Sequence, residues 1–340
     1  MLKRKQGYLI SDRADRRYFS NIDVAEGFLL LSKNPAYFAD SRYYSAVVKK
    51  LEGTPYTPVL YKGISSIKDY LKSNGVKTLY VDFRYTTLKE YESYKLLKVK
   101  LKDGSAYLEK ARAVKTNEEY ESIKKACEIT QKAYYLTIQK AKLGITEKEL
   151  AKIMKNNMLV LGGEEESFET IVAFGSNSAV PHHETGDTKL EENTPILIDT
   201  GCKINGYCSD LTRTAFFGKP TEKFINAYNA VLKANLNAEA GILEGMDFAE
   251  GDKIARDTLK EYGLDAFFTH SLGHGVGLNV HEYPTVSPKG KGKFYEDCIF
   301  TVEPGVYLEG NFGIRIEDTV VIKNGKVERL FTDSKELLIL

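Results

Sequence analysis

The chain lacks an excess of charge of either sign. It contains 48 lysines and arginines against 47 aspartates and glutamates, which gives a formal net charge of +1. Nucleic acids and anionic membranes attract basic surfaces, so we expect neither as a partner. Long apolar runs are also missing: Phe28–Leu31 is among the longest and falls far short of a bilayer span. The N-terminus has no apolar signal-peptide core, which predicts a cytoplasmic protein.

Cysteine is scarce, and no pair of cysteines has the CxxC spacing of a zinc or redox motif. The four cysteines are predicted to be reduced, mostly buried thiols: Cys127, Cys202, Cys208 and Cys298. Cys208 lies two residues before Asp210 and faces the same way in a strand, where it can reach a metal. A buried structural thiol is the favoured interpretation.

The length of 340 residues fits two domains, and contents of 42% hydrophobic and 28% charged residues are typical of a globular protein. Short strands alternating with helices predict an α/β domain over residues 1–108. This part has no histidine, no Gly-rich phosphate loop and no carboxylate cluster, so we expect no catalytic chemistry in it. Residues 109–340 begin with two helices, capped at Thr116 and Thr146. Strands and glycines follow, which makes the whole chain α/β (α+β).

A β-hairpin is the strongest local signal in the second domain. An Asn205-Gly206 pair lies between two apolar, β-branched runs, the sequence that most favours a tight hairpin turn. With this pair at the turn, Asp199 faces Thr212, and Asp210 shares the face of Thr212 as a diagonal neighbour about 7–8 Å from Asp199. Two carboxylates at this distance repel unless a cation lies between them. The spacing suits a two-metal site, and the alternative is a pair of ordinary strand-end polar residues.

All five histidines fall in the second domain: His182, His183, His270, His274 and His281. Glycines on both sides of His274 allow close backbone approach and leave its imidazole free to point inward. A lone histidine in such a loop is usually structural, and here the neighbouring acids favour a functional role.

Two glutamates lie within apolar strand patterns near the C-terminus. If residues 309–311 form a three-residue hairpin loop, Glu303 lies opposite Glu317. Pro304 can introduce a bulge into this register. A buried glutamate needs a partner, and Arg315, on the face of Glu317, is the ordinary structural choice.

The motifs IDTG, SDLTR, HSLGHGVGLNVHE, TVEPG and RIEDT follow one another in this order. Together they resemble the pita-bread metallopeptidase family, which includes methionine aminopeptidase, aminopeptidase P and prolidase. The resemblance covers about residues 110–335, and residues 37–43 resemble the extra N-terminal domain of the aminopeptidase P and prolidase branch. Residues 296–298 and 311–313 depart from the family pattern without affecting a ligand. The resemblance implies a C-terminal pita-bread domain with a smaller creatinase-type α/β domain before it.

The resemblance also implies a site for two divalent metal ions. Asp199 would bind the first ion, His274 and Glu303 the second, and Asp210 and Glu317 both. Four carboxylates and one imidazole suit Mn²⁺, with Co²⁺, Zn²⁺ and Fe²⁺ as alternatives. Such ions acidify a bridging water to hydroxide and polarise the scissile carbonyl.

The remaining site residues also follow from the resemblance. Glu303 is similar to the proton shuttle of the family. His281 and His270 match positions that steady the tetrahedral intermediate and bind substrate, and His182 matches a histidine of the proline-specific branch. Arg315 matches an arginine that supports the ligands.

We therefore expect a peptidase that cleaves the bond before a proline at the second position of a peptide, and we expect a homodimer. His183 is expected at the surface. A methionine aminopeptidase is disfavoured by the N-terminal domain. A metal-free creatinase-like hydrolase and a binding protein that has lost its ligands are disfavoured by the five intact ligand positions. Dipeptidase and aminopeptidase activity both stay open.

Overall fold

The computed structural model describes residues 5–340. Residues 1–4, which belong to the N-terminal stretch without a signal-peptide core, lie outside the described residues. The chain forms two compact units, of which the first ends at Arg112 and the second comprises Ala113–Leu340. The predicted boundary after residue 108 falls within the helix Ser105–Ala113. Across residues 5–340, no helix is both long and apolar enough to cross a membrane.

The first unit is a six-stranded mixed sheet with strand order β4-β3-β2-β1-β5-β6. Its strands are β1 (Gln6–Ile10), β2 (Phe28–Leu31), β3 (Ala36–Ala39), β4 (Thr57–Leu60), β5 (Thr78–Val81) and β6 (Lys100–Asp103). Its helices are α1 (Arg13–Ser20), α2 (Tyr44–Leu51), α3 (Ile64–Ser73), α4 (Leu88–Lys95) and α5 (Ser105–Ala113). Helix α2 begins at Tyr44, directly after a turn in which the Asp40 carboxylate accepts the Arg42 N–H.

Four long helices cover the second unit: α6 (Asn117–Ile138), α7 (Glu147–Val160), α8 (Glu222–Gly241) and α9 (Phe248–Glu261). The predicted capping boxes at Thr116 and Thr146 are both present. Helix α6 ends at Ile138. The chain there changes to turns in which Lys140 and Ala141 donate to carbonyls three residues back.

The strands of the second unit form two main sheets and two short hairpins. The strands are β7 (Ile171–Phe174), β8 (Thr194–Thr200), β9 (Lys203–Ile204), β10 (Tyr207–Cys208), β11 (Leu211–Phe217), β12 (Gly273–Gly275), β13 (Glu282–Val286), β14 (Ile299–Val302), β15 (Gly305–Leu308), β16 (Phe312–Arg315), β17 (Asp318–Lys323) and β18 (Lys326–Arg329). The main sheets have the orders β11-β8-β7 and β13-β12-β14-β17-β18, and the hairpins are β9-β10 and β15-β16.

Two apolar cores stabilise the second unit. One joins α6 and α7 to β7, β8 and β11, and the other joins α8 and α9 to β14–β17. The predicted acidic residues and His274 lie at or next to the ends of strands from both sheets. The two cores therefore hold rigid strands whose ends carry the candidate site.

Candidate metal centre

The hairpin that carries two of the acids has the register predicted from its turn. Asp199 in β8 lies opposite Thr212 in β11. The turn residues Asn205 and Gly206 have φ values of 49° and 72°, the left-handed backbone that a type I′ turn requires. Asp210 directly precedes β11 and is buried. The Asn-Gly signal thus correctly placed the strands that present both aspartates.

Glu303 and Glu317 lie at the point where one strand pair ends and the next begins. The residue pairs around them keep a single register: Val302 with Asp318, Gly305 with Arg315, and Leu308 with Phe312. The predicted three-residue loop is confirmed by this pairing. Pro304 interrupts the strand without shifting the register, so the two glutamates occupy opposite positions.

His274 faces the acids from the short strand β12. Its Nε2 lies 3.6 Å from Asp210 Oδ2 and 3.3 Å from Glu303 Oε1. The flanking glycines are required: a Cβ on Gly273 would lie 1.9 Å from the Thr301 carbonyl oxygen, and one on Gly275 would also collide with backbone. The expectation that glycines permit close approach here is confirmed.

The tautomer of His274 favours a cation in the site. Nδ1 lies 3.1 Å from the Gly275 carbonyl oxygen and must donate to it, which assigns the unprotonated lone pair to Nε2. That lone pair faces oxygens of Asp210 and Glu303, which are also acceptors when these acids are ionised. Ligand atoms of Asp210, His274 and Glu317 all lie within 4.8 Å of one another. A divalent cation satisfies such a set of donors, which is how neutral histidine and carboxylates bind metals.

Asp199 adds an orphaned oxygen to this group. Its Oδ2 accepts from Arg315 Nη2 at 2.6 Å, whereas its buried Oδ1 has no hydrogen-bond partner in the described part of the chain. Buried polar atoms are nearly always paired in folded proteins. The unpaired oxygen, like the lone pair of His274, fits a site completed by a metal ion.

The carboxylates of the site repel one another when no cation is present. Burial, reinforced by the neighbouring carboxylates, raises the pKa of Asp210 and of Glu317 well above the ordinary carboxyl range. Burial likewise raises the pKa of Glu303 to about 8, and the Asp199 charge adds to this shift while Arg315 opposes it. Burial lowers the pKa of His274 to about 3, with a further contribution from His281. Without a cation, burial therefore favours the neutral forms of Asp210, Glu303, Glu317 and His274.

A buried arginine fixes the backbone behind the acids. Arg213 donates to the Asp333 carboxylate from Nε and to Asp318 from Nη2, at 2.8 and 2.7 Å. Its Nη1 donates to the main-chain oxygens of Thr212 and Glu317. Since Thr212 lies at the start of β11 and Glu317 directly precedes β17, this guanidinium holds the two strand ends together.

Arg315 lies beneath the site with a different partner from the one expected from strand geometry. Its guanidinium donates to Asp199, to Thr212 Oγ1 at 3.0 Å and to Tyr307 Oη at 2.8 Å. Glu317 instead accepts from Thr212 Oγ1 at 2.6 Å. Arg315 therefore orients Asp199 directly, and the Thr212 hydroxyl links Arg315 to the Glu317 carboxylate.

Tyr307 is a site residue that the sequence reasoning missed. Its hydroxyl joins Arg315 Nη1 to His270 Nε2, each at 2.8 Å. Its position was detectable, because Tyr307 is the diagonal neighbour of Arg315 in the predicted hairpin. His270 Nδ1 donates to the Ser271 carbonyl oxygen at 2.8 Å, so Nε2 must accept from the tyrosine.

His270 thus has both ring nitrogens engaged within the protein. Burial, with smaller contributions from Arg315 and His182, lowers its pKa to about 3. Its Nδ1 also lies 4.0 Å from Glu303 Oε2. His270 therefore lies beside Glu303, and its imidazole is held neutral in one orientation.

The other two predicted histidines are exposed at the edge of the site. The ring centroid of His281 lies 4.1 Å from that of His274 in an edge-on contact. Partial desolvation of the His281 ring lowers its pKa, and the charge of Asp199 opposes this. His182 follows Pro181, whose carbonyl oxygen accepts from Arg315 Nη1 at 3.3 Å.

Two expectations about neighbouring residues have clear outcomes. His183 is not a free surface residue, because its Nε2 donates to the buried Glu147 carboxylate at 2.9 Å. Cys208 is buried, and its thiol lies 3.8 Å from the Leu278 carbonyl oxygen. All four cysteines are free and buried as predicted.

Comparison with known proteins identifies the family. Residues 121–324 match Metallopeptidase family M24, and residues 3–114 match the Creatinase/Prolidase N-terminal domain. The chain belongs to metallopeptidase family M24, and the resemblance inferred from the motifs is confirmed. The fold class is confirmed as well: a mixed α/β chain with a creatinase-like domain followed by a pita-bread domain.

Individual relatives match along almost the whole chain. The chain is 35% identical to an Xaa-Pro dipeptidase of Pyrococcus furiosus over 324 residues, which cover 94% of this chain and 92% of the relative. It superposes with a TM-score of 0.93 on an Xaa-Pro dipeptidase from Bacillus anthracis, at 32% identity and covering 98% and 95% of the two chains. An X-Pro aminopeptidase from Thermotoga maritima matches with a TM-score of 0.88 at 34% identity, covering 98% and 97%.

Proposed function

We propose that this protein is a metal-dependent peptidase that hydrolyses the bond before a proline at the second position of a peptide or dipeptide. The observation that carries the proposal is the buried group of carboxylates around the unprotonated nitrogen of His274. Relatives named Xaa-Pro dipeptidase and X-Pro aminopeptidase support the specificity for proline.

In this proposal the site holds two divalent ions. Asp199 would hold the first ion, His274 and Glu303 would hold the second, and Asp210 and Glu317 would contribute to both. An oxygen-rich set with one imidazole suits Mn²⁺ well. When bound, such ions supply an acidified water as nucleophile and polarise the peptide carbonyl.

Glu303 is proposed to carry the proton between the attacking water and the leaving nitrogen. Its Oε1 accepts from Thr301 Oγ1 at 3.1 Å, which leaves Oε2 as the oxygen for proton transfer. A carboxyl whose pKa is raised to about 8 without metal is held where burial favours the protonated form.

We propose that the three histidines around the acids contact the substrate: His182, His270 and His281. His281 and His182 are exposed, so their N–H groups can donate to the substrate carbonyl or to the developing oxyanion. His270 and Tyr307, already hydrogen-bonded to each other, form a fixed wall beside Glu303.

The test is hydrolysis of a matched set of peptides by metal-free protein reconstituted with Mn²⁺. We expect cleavage of Ala-Pro or Ala-Pro-Ala and little cleavage of Ala-Ala. A preference for Ala-Pro would indicate a dipeptidase, and efficient cleavage of Ala-Pro-Ala an aminopeptidase.

Cleavage of Ala-Ala as fast as that of Ala-Pro would contradict the proline specificity. Hydrolysis of none of the three peptides would contradict the proposed peptidase activity. Metal analysis should give two ions per chain, and a stoichiometry of zero would contradict the site itself. A homodimer stays a prediction, which light scattering after gel filtration tests.

A further inference from the structure

A single buried carboxylate holds the segment that carries His182. This segment, residues 174–186, leaves β7 through the short 3-10 helix Gly175–Ala179 and runs toward β8. Glu147, the first residue of α7, points into it and has no exposed surface. The network around Glu147 has no part in the chemistry proposed above.

Both oxygens of Glu147 are saturated by donors from this segment. Oε1 accepts from the Phe174 N–H at 2.9 Å and from Asn177 Nδ2 at 2.8 Å. Oε2 accepts from His183 Nε2 and from the Gly186 N–H, each at 2.9 Å. A fully buried carboxylate is costly unless its lone pairs are filled. Any movement of the segment that removes a donor therefore carries a penalty.

The same segment is fixed from its other side by β16. The Gly313 N–H donates to Ser178 Oγ at 2.8 Å, and a Cβ on Gly313 would lie 1.9 Å from the Ser178 carbonyl oxygen. Two residues further along β16, Arg315 Nη1 donates to the Pro181 carbonyl oxygen. The residue before His182 is thus held by Arg315, and the residue after it by Glu147.

We propose that Glu147 and His183 are positioning residues that set the place of the exposed His182 imidazole at the mouth of the site. Neither residue touches the substrate in this arrangement. The inference rests on the proposed function insofar as His182 contacts a peptide substrate.

The first experiment compares Glu147→Gln with Glu149→Gln. Glu149 lies in the same helical turn and is exposed, and within residues 5–340 its carboxylate accepts hydrogen bonds only from Thr146. We expect Glu147→Gln to lower kcat/KM for Ala-Pro by about 10- to 100-fold, the cost of a small misplacement in an active site. Glu149→Gln should retain wild-type kinetics, and both variants should keep the wild-type metal content.

A double-mutant cycle separates positioning from a general structural effect. If Glu147 acts through His182, the variant Glu147→Gln/His182→Ala should be no slower than His182→Ala alone. Fully additive losses, or wild-type kinetics in Glu147→Gln, would overturn the inference.

The partner histidine supplies a second pair of variants. His183→Gln can still donate from its side-chain amide toward Glu147, whereas His183→Ala cannot. We expect the glutamine variant to stay within a few-fold of wild type and the alanine variant to lose activity as Glu147→Gln does. Equal losses in both would contradict the role of the hydrogen bond.

Hydrogen exchange gives a readout that needs no catalysis. In metal-free protein, the amides of Phe174 and Gly186 should exchange faster in Glu147→Gln than in Glu149→Gln, because their acceptor is weakened. Unchanged exchange would contradict the anchoring. Lack of Xaa-Pro activity in the wild-type protein would instead contradict the proposed function, and the exchange rates would still decide whether Glu147 holds the segment.

Discussion

Loading the metal-free protein with Mn²⁺ should release protons, because the acids of the site hold them in the absence of a cation. With its pKa raised to about 8, Glu303 is about 0.9 protonated at pH 7 and about 0.1 protonated at pH 9. Asp210 and Glu317, whose pKa values are also raised, add to the release. His274, with its pKa lowered to about 3, is already neutral and contributes none. The expected release at pH 7 is therefore at least about one proton per loaded site.

Isothermal titration calorimetry in buffers of different ionisation enthalpy measures this number as the slope of observed enthalpy against buffer enthalpy. At pH 9 the part that comes from Glu303 should fall by about 0.8 proton. Glu303→Gln is the control, and at pH 7 it should remove about 0.9 proton per bound site from the slope. A slope of zero in the wild-type protein would refute the argument from burial, since it would mean that the acids are already ionised.

The same shifts predict how the stability of the metal-free protein depends on pH. A carboxyl whose pKa is higher in the folded state favours folding at low pH, and for Glu303 this contribution is lost progressively as pH rises from the ordinary pKa of 4.5 to about 8. A histidine whose pKa is lowered from 6.5 favours the unfolded state as pH falls below 6.5. Chemical denaturation should therefore show the free energy of unfolding falling between pH 6.5 and about 8, and Mn²⁺ should reduce this fall. A rise over that range would contradict the assigned protonation states.

Three further predictions concern single substitutions. Asp210→Asn should abolish nearly all turnover, because an amide supplies no charge to bind two cations. The circular dichroism spectrum should stay native. Unchanged turnover would show that Asp210 has only a structural role. His281→Ala should lower kcat/KM by about 10²–10³, the loss typical of one oxyanion donor, with unchanged metal content by mass spectrometry. Loss of metal in that variant would show that His281 and His274 have exchanged roles. Gly275→Ala should lower the free energy of unfolding by about 1–3 kcal/mol, since its Cβ would lie 2.2 Å from the Tyr283 carbonyl oxygen. Urea denaturation measures this change, and a free energy of unfolding equal to that of the wild type would contradict the close contact.

Local signals predicted the parts of the site that depend on strand register. The Asn205-Gly206 turn determines the pairing of β8 with β11 because a two-residue turn leaves one register. The loop at residues 309–311 placed Glu303 opposite Glu317 in the same way. In both cases alternation along the strands then assigned the side chains to a face.

Contacts between residues that are far apart in the sequence could not be predicted from these local signals. Arg315 pairs with Asp199, 116 residues away, and the bond from His183 to Glu147 joins residues 36 apart. No turn type or periodicity relates these positions, because their distance is set by how the sheets and helices pack. Residue chemistry alone assigned His183 to the surface, whereas its place beside a buried carboxylate follows from tertiary structure.

The pairing of Arg315 with Asp199 bears on the order in which the protein folds and acquires its ions. In zinc fingers the ligands gather only when metal arrives, so the metal-free chain is unfolded. Here the guanidinium already compensates one carboxylate, and protons on the neighbouring acids reduce the remaining repulsion. The polypeptide can therefore fold before it takes up ions. A chelator would then give an inactive but folded protein that regains activity without refolding, and the identity of its ions would depend on their supply in the cell.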